Sequence, residues 1–276
     1  MRKFYHSYYS LPTQNFNRWG IQEQFRMNLF LAALSVEFLH KHNREAILIC
    51  DRYSKEYMQH IPYDGIYTML EGLHVPKYFW AAGKVFAQKF IDRGDVHVDT
   101  DVFFLSDRCI NMIDKYEFDV VAQELEITAL DIEHQGNWYK RHYDFLTSHK
   151  VEINPNKYAL NCGVIGFNDR KLKKRYIAQY SNFAKKVSKI NPEKYDGGLE
   201  FYAPDLILEQ MNLCNVIDEH NAKVLVIRPN NDYLSDFKDD YLHLIGQLKY
   251  SEERQNWVKD QLQELNPALL EKLNNL

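Results

Sequence analysis

Short apolar runs bounded by polar residues alternate along the chain with longer stretches in which apolar positions recur every three or four residues. Ala46 to Cys50 is an unbroken apolar run ending in Asp51-Arg52. Val96 to Val98 ends in Asp99-Thr100-Asp101, and Asp119 to Ala122 is followed by the polar pair Gln123-Glu124. Runs of this length predict buried strands. Aromatic-rich Lys3 to Ser10 predicts a first strand, and Ile66 to Leu70 and Val224 to Ile227 predict others. Tyr158 to Phe167 predicts one more, interrupted by Asn161 and by Gly163, a glycine that permits close approach of a ligand or another backbone. The helical period runs through Ile21 to Lys41, Pro76 to Phe90, Ser106 to Tyr116 and Arg170 to Ile190. In the second of these, Phe79, Ala82, Phe86 and Phe90 form an inward stripe. Lys84 lies on another face with Trp80 and Gln88, either leaning over the end of the Val96 to Val98 strand or solvated. Leu125 to Asn156 is poorly patterned and reads as an irregular excursion over the sheet.

Alternation of strands and helices predicts an α/β fold with a mostly parallel central sheet flanked by helices. Ser251 to Leu276 reads as one amphipathic helix. The expected organisation is therefore a domain over residues 1–250 with a C-terminal helix, 251–276, packed on it or extending it.

With 276 residues, 45% hydrophobic and 14% aromatic, the chain can bury a sizeable core. A net charge of −4 argues against a nucleic-acid partner, which calls for a basic face. The four cysteines, Cys50, Cys109, Cys162 and Cys214, are widely spaced and form no metal-type cluster, so they read as reduced thiols. The opening residues, Met1 to His6, hold no apolar signal core, and the most apolar run, Leu29 to Val36, is too short to span a bilayer. The expectation is a cytoplasmic protein without a transmembrane segment, any membrane contact being peripheral. Dinucleotide, Walker A, zincin and G-x-S-x-G motifs do not occur.

The chemistry concentrates in a few places. Asp99 and Asp101 stand at a strand's carboxyl end, where open α/β sheets bind ligands, and two carboxylates there need a cation, hydrogen bonds or water. A hard divalent ion suits them; a solvated acidic turn is the plain alternative. Asp51 is a second acid at a strand end. His6 and Tyr8 lie near the end of the first strand, where an aromatic ring can stack on a nucleobase. In a helix, Asp205 and Glu209 share a face. His243-x-x-Gly246-x-x-Lys249 combines an imidazole suited to a metal, a permissive glycine and a lysine suited to phosphate.

Taken in order, Lys84, Asp99-Thr100-Asp101, Asn161-Cys162-Gly163-Val164 and His243-x-x-Gly246-x-x-Lys249 resemble the motif series of nucleotide-sugar glycosyltransferases of the GT-A fold. Within these the series resembles glycosyltransferase family 8, the glycogenin and bacterial lipopolysaccharide galactosyltransferase type. The resemblance implies that Asp99, Asp101 and His243 hold Mn²⁺ or Mg²⁺ against the donor diphosphate. It implies that Gly246 and Lys249 meet that diphosphate, that Lys84 contacts phosphate or sugar, and that Asn161 lies beside the donor sugar. His6, Tyr8, Asp51 and Thr100 complete the expected donor-binding set. Glu209-Gln210 falls roughly where that family carries an Asp-Gln pair near the reacting sugar.

Two departures bear on the acceptor side: Tyr250-Ser251 replace the family's Pro-Trp, and Glu209-Gln210-Met211 replace its Asp-Gln-Asp. If a side-chain base is needed, Glu124, Glu209 and Asp205 are the candidates; a retaining enzyme lets the leaving phosphate take the proton. The expected activity is metal-dependent transfer of a sugar from a nucleotide sugar, UDP-linked, to a glycan, lipid-linked or protein acceptor in surface polysaccharide synthesis. Two other readings stand beside it. Asp99 and Asp101 also resemble the nucleophile and acid/base of haloacid-dehalogenase-type phosphatases, although that motif usually opens its domain. A non-catalytic nucleotide-sugar-binding protein is the other.

Overall fold

Nine strands organise the computed structural model, which describes residues 1–10, 22–75, 79–131, 137–190, 204–228 and 239–276. They are β1 (Phe4–Tyr8), β2 (Ala46–Cys50), β3 (Gly65–Tyr67), β4 (Val96–Val98), β5 (Val102–Phe104), β6 (Val120–Ile127), β7 (Tyr158–Phe167), β8 (Val224–Arg228) and β9 (Tyr241–His243). Seven of them form one sheet in the order β3-β2-β1-β4-β7-β6-β8. Only β7 runs against its neighbours; the other pairs are parallel. The α/β class and the mostly parallel sheet follow the expectation from strand and helix alternation. β5 and β9 pair antiparallel as a separate ribbon. The starts of two predicted helices, at Ile21 and at residues 76–78, lie outside the described residues.

Strand alternation sends successive side chains to opposite faces, and each face has its own helical cover. On one face α1 (Gln22–Lys41) lies between the sheet and the terminal helices, and Met27 to Val36 are buried all round. On the other, α3 (Ala82–Ala87), α5 (Trp138–Ser148), α6 (Arg170–Val187) and α7 (Asn212–His220) pack over Val120, Ala122, Cys162 and Ile165. The shorter α2 (Arg52–Met58) and α4 (Arg108–Lys115) follow β2 and β5. All four cysteines are buried and free.

Besides β5 and β9, which the pattern does not predict, four stretches differ from the pattern reading. β6 continues through Leu125 to Ile127, and residues 138–148 form a helix, so the expected excursion is largely regular; residues 132–136 lie outside the described set. A bulge between Ala122 and Glu124 shifts the alternation of β6, which hides its second half from a period-two reading. The regular part of the predicted 76–90 helix shrinks to α3; Phe79 and Ala82 are buried as expected, but Phe90 is 43% exposed, and Lys84 and Gln88 on the other face are buried too. Third, the strand predicted at Ile66 to Leu70 is confined to Gly65–Tyr67. Fourth, the terminal segment is two helices, α8 (Glu252–Leu265) and α9 (Pro267–Asn274). Asn266 leaves helical geometry and its side chain accepts the Leu269 N–H at 3.1 Å, while Pro267 opens α9 where a missing N–H costs nothing.

Candidate active site

The acidic pair is set by the turn between β4 and β5. Asp99 donates its N–H to the Gly163 carbonyl of β7 at 2.8 Å, and Val102 donates to the Asp99 carbonyl at 3.1 Å. β5 then pairs with β9 so that Val102 stands opposite His243, and Leu244 donates to the Asp101 carbonyl at 3.0 Å. This pairing brings His243 to the acids across the whole sequence: its Nε2 lies 3.3 Å from Asp101 Oδ1. Ligand atoms of Asp99, Asp101 and His243 lie within 4.8 Å of one another. Donor atoms bound to one divalent ion at about 2.0–2.6 Å are at most about 5 Å apart, so the three side chains fit a single cation. Two carboxylates and an imidazole are ligands that a divalent cation accepts.

Each aspartate also meets a lysine. Lys84 Nζ lies 2.8 Å from Asp99 Oδ2 and 3.0 Å from Glu209 Oε1, and it donates to the Cys162 carbonyl at 3.0 Å. Lys249, on a 3₁₀ turn (Gly246–Tyr250), donates to Asp101 Oδ2 at 2.6 Å. Burial works to raise the Asp101 pKa, but Lys249 and His243 outweigh it and hold the carboxyl well below the usual range. Burial raises Asp99, Lys84 opposes the rise, and the neighbouring Asp101 adds to it. Burial would neutralise Lys84, yet Asp99 and Glu209 hold its pKa above the ordinary lysine value, so it stays charged. Glu209, 0% exposed, is pushed up to about 7 by burial, against the pull of Lys84.

The remaining residues singled out from the sequence divide by location. Asn161 and Gln210 share one network: Asn161 donates to Glu126 Oε1 at 2.9 Å and accepts the Gly163 N–H at 3.0 Å, while the Tyr139 hydroxyl lies 2.5 Å from both Glu126 Oε2 and Gln210 Oε1. Gly246 has φ +65° and open space beside its Cα, as close approach of a ligand requires. Thr100 is half-buried between the acids. Asp205 lies on the turn that enters a π-helical segment (Leu206–Met211), 0% exposed, and accepts the Ala81 N–H at 2.7 Å and the Tyr180 hydroxyl at 2.8 Å. It ties α3 to α6 and so positions Lys84. Glu124 is buried 3.5 Å from Arg228; burial raises its carboxyl, with Arg228 and the Gln123 amide opposing.

Three residues expected at the donor, His6, Tyr8 and Asp51, have roles in the fold itself. His6 is a correction: it is 0% exposed, with Nδ1 2.9 Å from the Tyr63 hydroxyl and Nε2 3.1 Å from Ser35 Oγ. Burial lowers its pKa to about 3, so it is a neutral core histidine with no surface for a donor. Tyr8 packs half-buried against the α1 side of the core. Asp51 caps α2, accepting the Ser54 N–H at 2.7 Å and the Ser10 N–H at 2.6 Å. It lines a cleft of about 460 Å³ with Tyr9, Arg52 and His74, whose walls include neither Asp99 nor Asp101.

Pattern reading missed Gln123, Tyr241, Glu126, Tyr139 and His97. Gln123 Oε1 lies 2.8 Å from both the Tyr241 hydroxyl and His243 Nδ1. His97, 1% exposed, meets Ser7 Oγ at 2.8 Å and lies 3.9 Å from Asp99 Oδ1. The polar pair Gln123-Glu124 at the end of an apolar run was a signal for the first; a neutral tyrosine offered none.

No curated protein matches the chain. Among solved structures it is similar to galactosyltransferase LgtC in complex with donor and acceptor sugar analogues, at 12% identity over 95% of this chain and 94% of that chain, with a TM-score of 0.48. It is also similar to 4-diphosphocytidyl-2C-methyl-D-erythritol synthase from Anaerococcus prevotii, at 14% identity over 95% and 99%, with a TM-score of 0.40. The sequence pattern of the family described as "Family of unknown function (DUF6734)" matches residues 2–276, and the chain belongs to that family.

Proposed function

We propose that this chain is a divalent-metal-dependent glycosyltransferase that moves a sugar from a nucleotide-diphosphate donor, UDP-linked, to a hydroxyl of a glycan, lipid-linked or protein acceptor on the cytoplasmic side. One observation carries the reading: Asp99 and Asp101, from the turn between β4 and β5, and His243, from β9, offer ligand atoms within 4.8 Å of one another, with Lys84 and Lys249 against the acids.

When bound there, Mn²⁺ or Mg²⁺ neutralises the diphosphate and the charge that grows on it as the sugar leaves. Lys249 adds an ammonium on the same side, and the open backbone at Gly246 lets the phosphate come close. Lys84 is held charged and immobile, aimed between Asp99 and Glu209, so its stabilisation needs no reorganisation as charge develops. Charge balance supports a diphosphate ligand. Lys249 matches Asp101 and Lys84 is shared by Asp99 and Glu209, while a nucleotide sugar brings about two negative charges that a dication cancels.

All three candidate bases are buried: Asp205 accepts from Ala81 and Tyr180, Glu209 Oε1 faces Lys84, and Glu124 lies 3.5 Å from Arg228, so none faces open solvent where an acceptor would arrive. This supports a retaining course in which the departing phosphate takes the acceptor proton. A phosphatase using Asp99 as nucleophile gives His243 and Lys249 no task, although both meet Asp101. A silent nucleotide-sugar binder differs in turnover alone.

The test is a panel of UDP- and GDP-sugars offered to the full chain with Mn²⁺, Mg²⁺ or EDTA, read by melting temperature and by release of nucleoside diphosphate. Joint stabilisation by donor and metal, with slow metal-dependent release of UDP, is the expected outcome. Phosphate release from simple phosphoesters without any response to nucleotide sugars would reject the proposal.

A further inference from the structure

The His243 ring has one nitrogen on the acids and the other on a buried carboxamide. Nε2 lies 3.3 Å from Asp101 Oδ1, and Nδ1 lies 2.8 Å from Gln123 Oε1, in a side chain that is 0% exposed. An amide oxygen carries no proton, so each partner at hydrogen-bond distance must donate to it. The Tyr241 hydroxyl, also at 2.8 Å, is one donor, and the second is the imidazole N–H. Nε2 faces the Asp101 carboxylate, an acceptor, and carries a proton until a cation displaces it; with Nδ1 also protonated, loss of the Nε2 proton leaves the lone pair there.

An amide can be placed either way round, so its orientation needs its own argument. Oε1 meets two groups able to donate, the Tyr241 hydroxyl and His243 Nδ1, whereas Nε2 has no hydrogen-bond partner among the described residues, so the proton on His243 Nδ1 reports which end of the amide faces the ring. The space for the pair comes from β7: a Cβ at Gly163 would come within 2.2 Å of Gln123 Oε1 and within 2.8 Å of His243 Nδ1. The same glycine's carbonyl accepts the Asp99 N–H at 2.8 Å. One bare backbone position therefore seats both the imidazole and the turn that carries the acids.

We propose that Gln123 is the positioning residue of the cation site, holding a proton on His243 Nδ1 so that Nε2 is the nitrogen presented to a cation beside Asp101. The inference rests on the metal reading given above. Metal-bound histidines commonly donate their second N–H to a carbonyl or carboxylate, and loss of that partner typically weakens metal affinity by about 10–100-fold.

The experiment uses the full chain labelled with ¹⁵N-histidine and treated with chelator, and records the protonation of His243 Nδ1 by long-range ¹H–¹⁵N correlation. Mn²⁺ is then titrated with and without UDP into wild type, Gln123→Met, Gln123→Glu and Asp101→Asn. The expected results are a proton on His243 Nδ1 in wild type and Mn²⁺ affinity lowered about 10–100-fold in Gln123→Met. Gln123→Glu, which keeps an acceptor oxygen, should retain affinity within a few-fold of wild type. A His243 Nδ1 that carries no proton in wild type overturns the proposal. So does wild-type Mn²⁺ affinity in Gln123→Met, or an equal loss in the Met and Glu variants. If wild type carries the Nδ1 proton but takes up no Mn²⁺, the metal reading fails and Gln123 is left as an orienting residue of a metal-free site. The spectrum of the unmodified chain needs no variant to fold.

Discussion

Lys84 is 7% exposed and has three oxygens within 3.0 Å, two of them from carboxylates. Removing its ammonium leaves Asp99 and Glu209 as close acids with no cation between them. Lys84→Met should therefore cost about 3–5 kcal/mol in chemical denaturation near pH 8, the scale for breaking a buried pair. A cost below about 1 kcal/mol would show that the lysine is solvated in solution. Asp205 gives a second prediction, with its sign fixed by linkage. Burial pushes its carboxyl from 3.8 up to about 7. The folded chain therefore holds that proton to higher pH than the unfolded chain, and the stability it contributes below about pH 4 is lost as pH rises to about 7. Asp205→Asn should flatten this decline in urea unfolding between pH 4 and 7.5, and an unchanged slope would contradict the shift. At this scale the charged groups were legible: Asp99, Asp101, His243, Lys84 and Lys249 were all singled out by chemistry and order. Gln123 and Tyr139 were not, because neutral hydrogen-bonding side chains leave no periodic or charge signature. His6 was misplaced because strand alternation sends it to the α1 face with Phe4 and Tyr8, a choice of face that the sequence of β1 leaves open.

Among elements, the β5–β9 ribbon does most to build the site, since its register alone puts His243 beside Asp101. Strands bounded sharply by polar residues could be read to the residue: Ala46–Cys50, Val96–Val98 and Tyr158–Phe167 are β2, β4 and β7. The elements that resisted reading are those where tertiary packing overrides local period. α3 is covered on both sides, so Lys84 and Gln88 are buried on the stripe that looked polar. β6 changes phase at its bulge. The terminal helices cover α1 through fully buried Leu262 and Leu273. Leu262→Ala should lower stability by about 2–5 kcal/mol in denaturant unfolding. A change below about 1 kcal/mol would mean that α8 is not docked on α1 in solution.

For the molecule as a whole, two covered faces of one sheet leave the carboxyl ends of the parallel strands as the place where chemistry gathers. No helix among the described residues is long and apolar enough to cross a membrane. With Lys249 and Lys84 already engaged by acids, the cancelling charges of dication and nucleotide predict that the two enter together. Mn²⁺ with UDP should raise the melting temperature by more than the sum of their separate effects, whereas simple additivity would count against a shared site. The central claim is that Asp99, Asp101 and His243 hold one divalent cation beside a diphosphate. Its most direct test is anomalous scattering at the manganese edge from crystals grown with Mn²⁺ and UDP. The account predicts one peak within coordination distance of all three side chains, with the diphosphate on its open side. A manganese peak elsewhere, with the nucleotide bound away from Asp101, would contradict it.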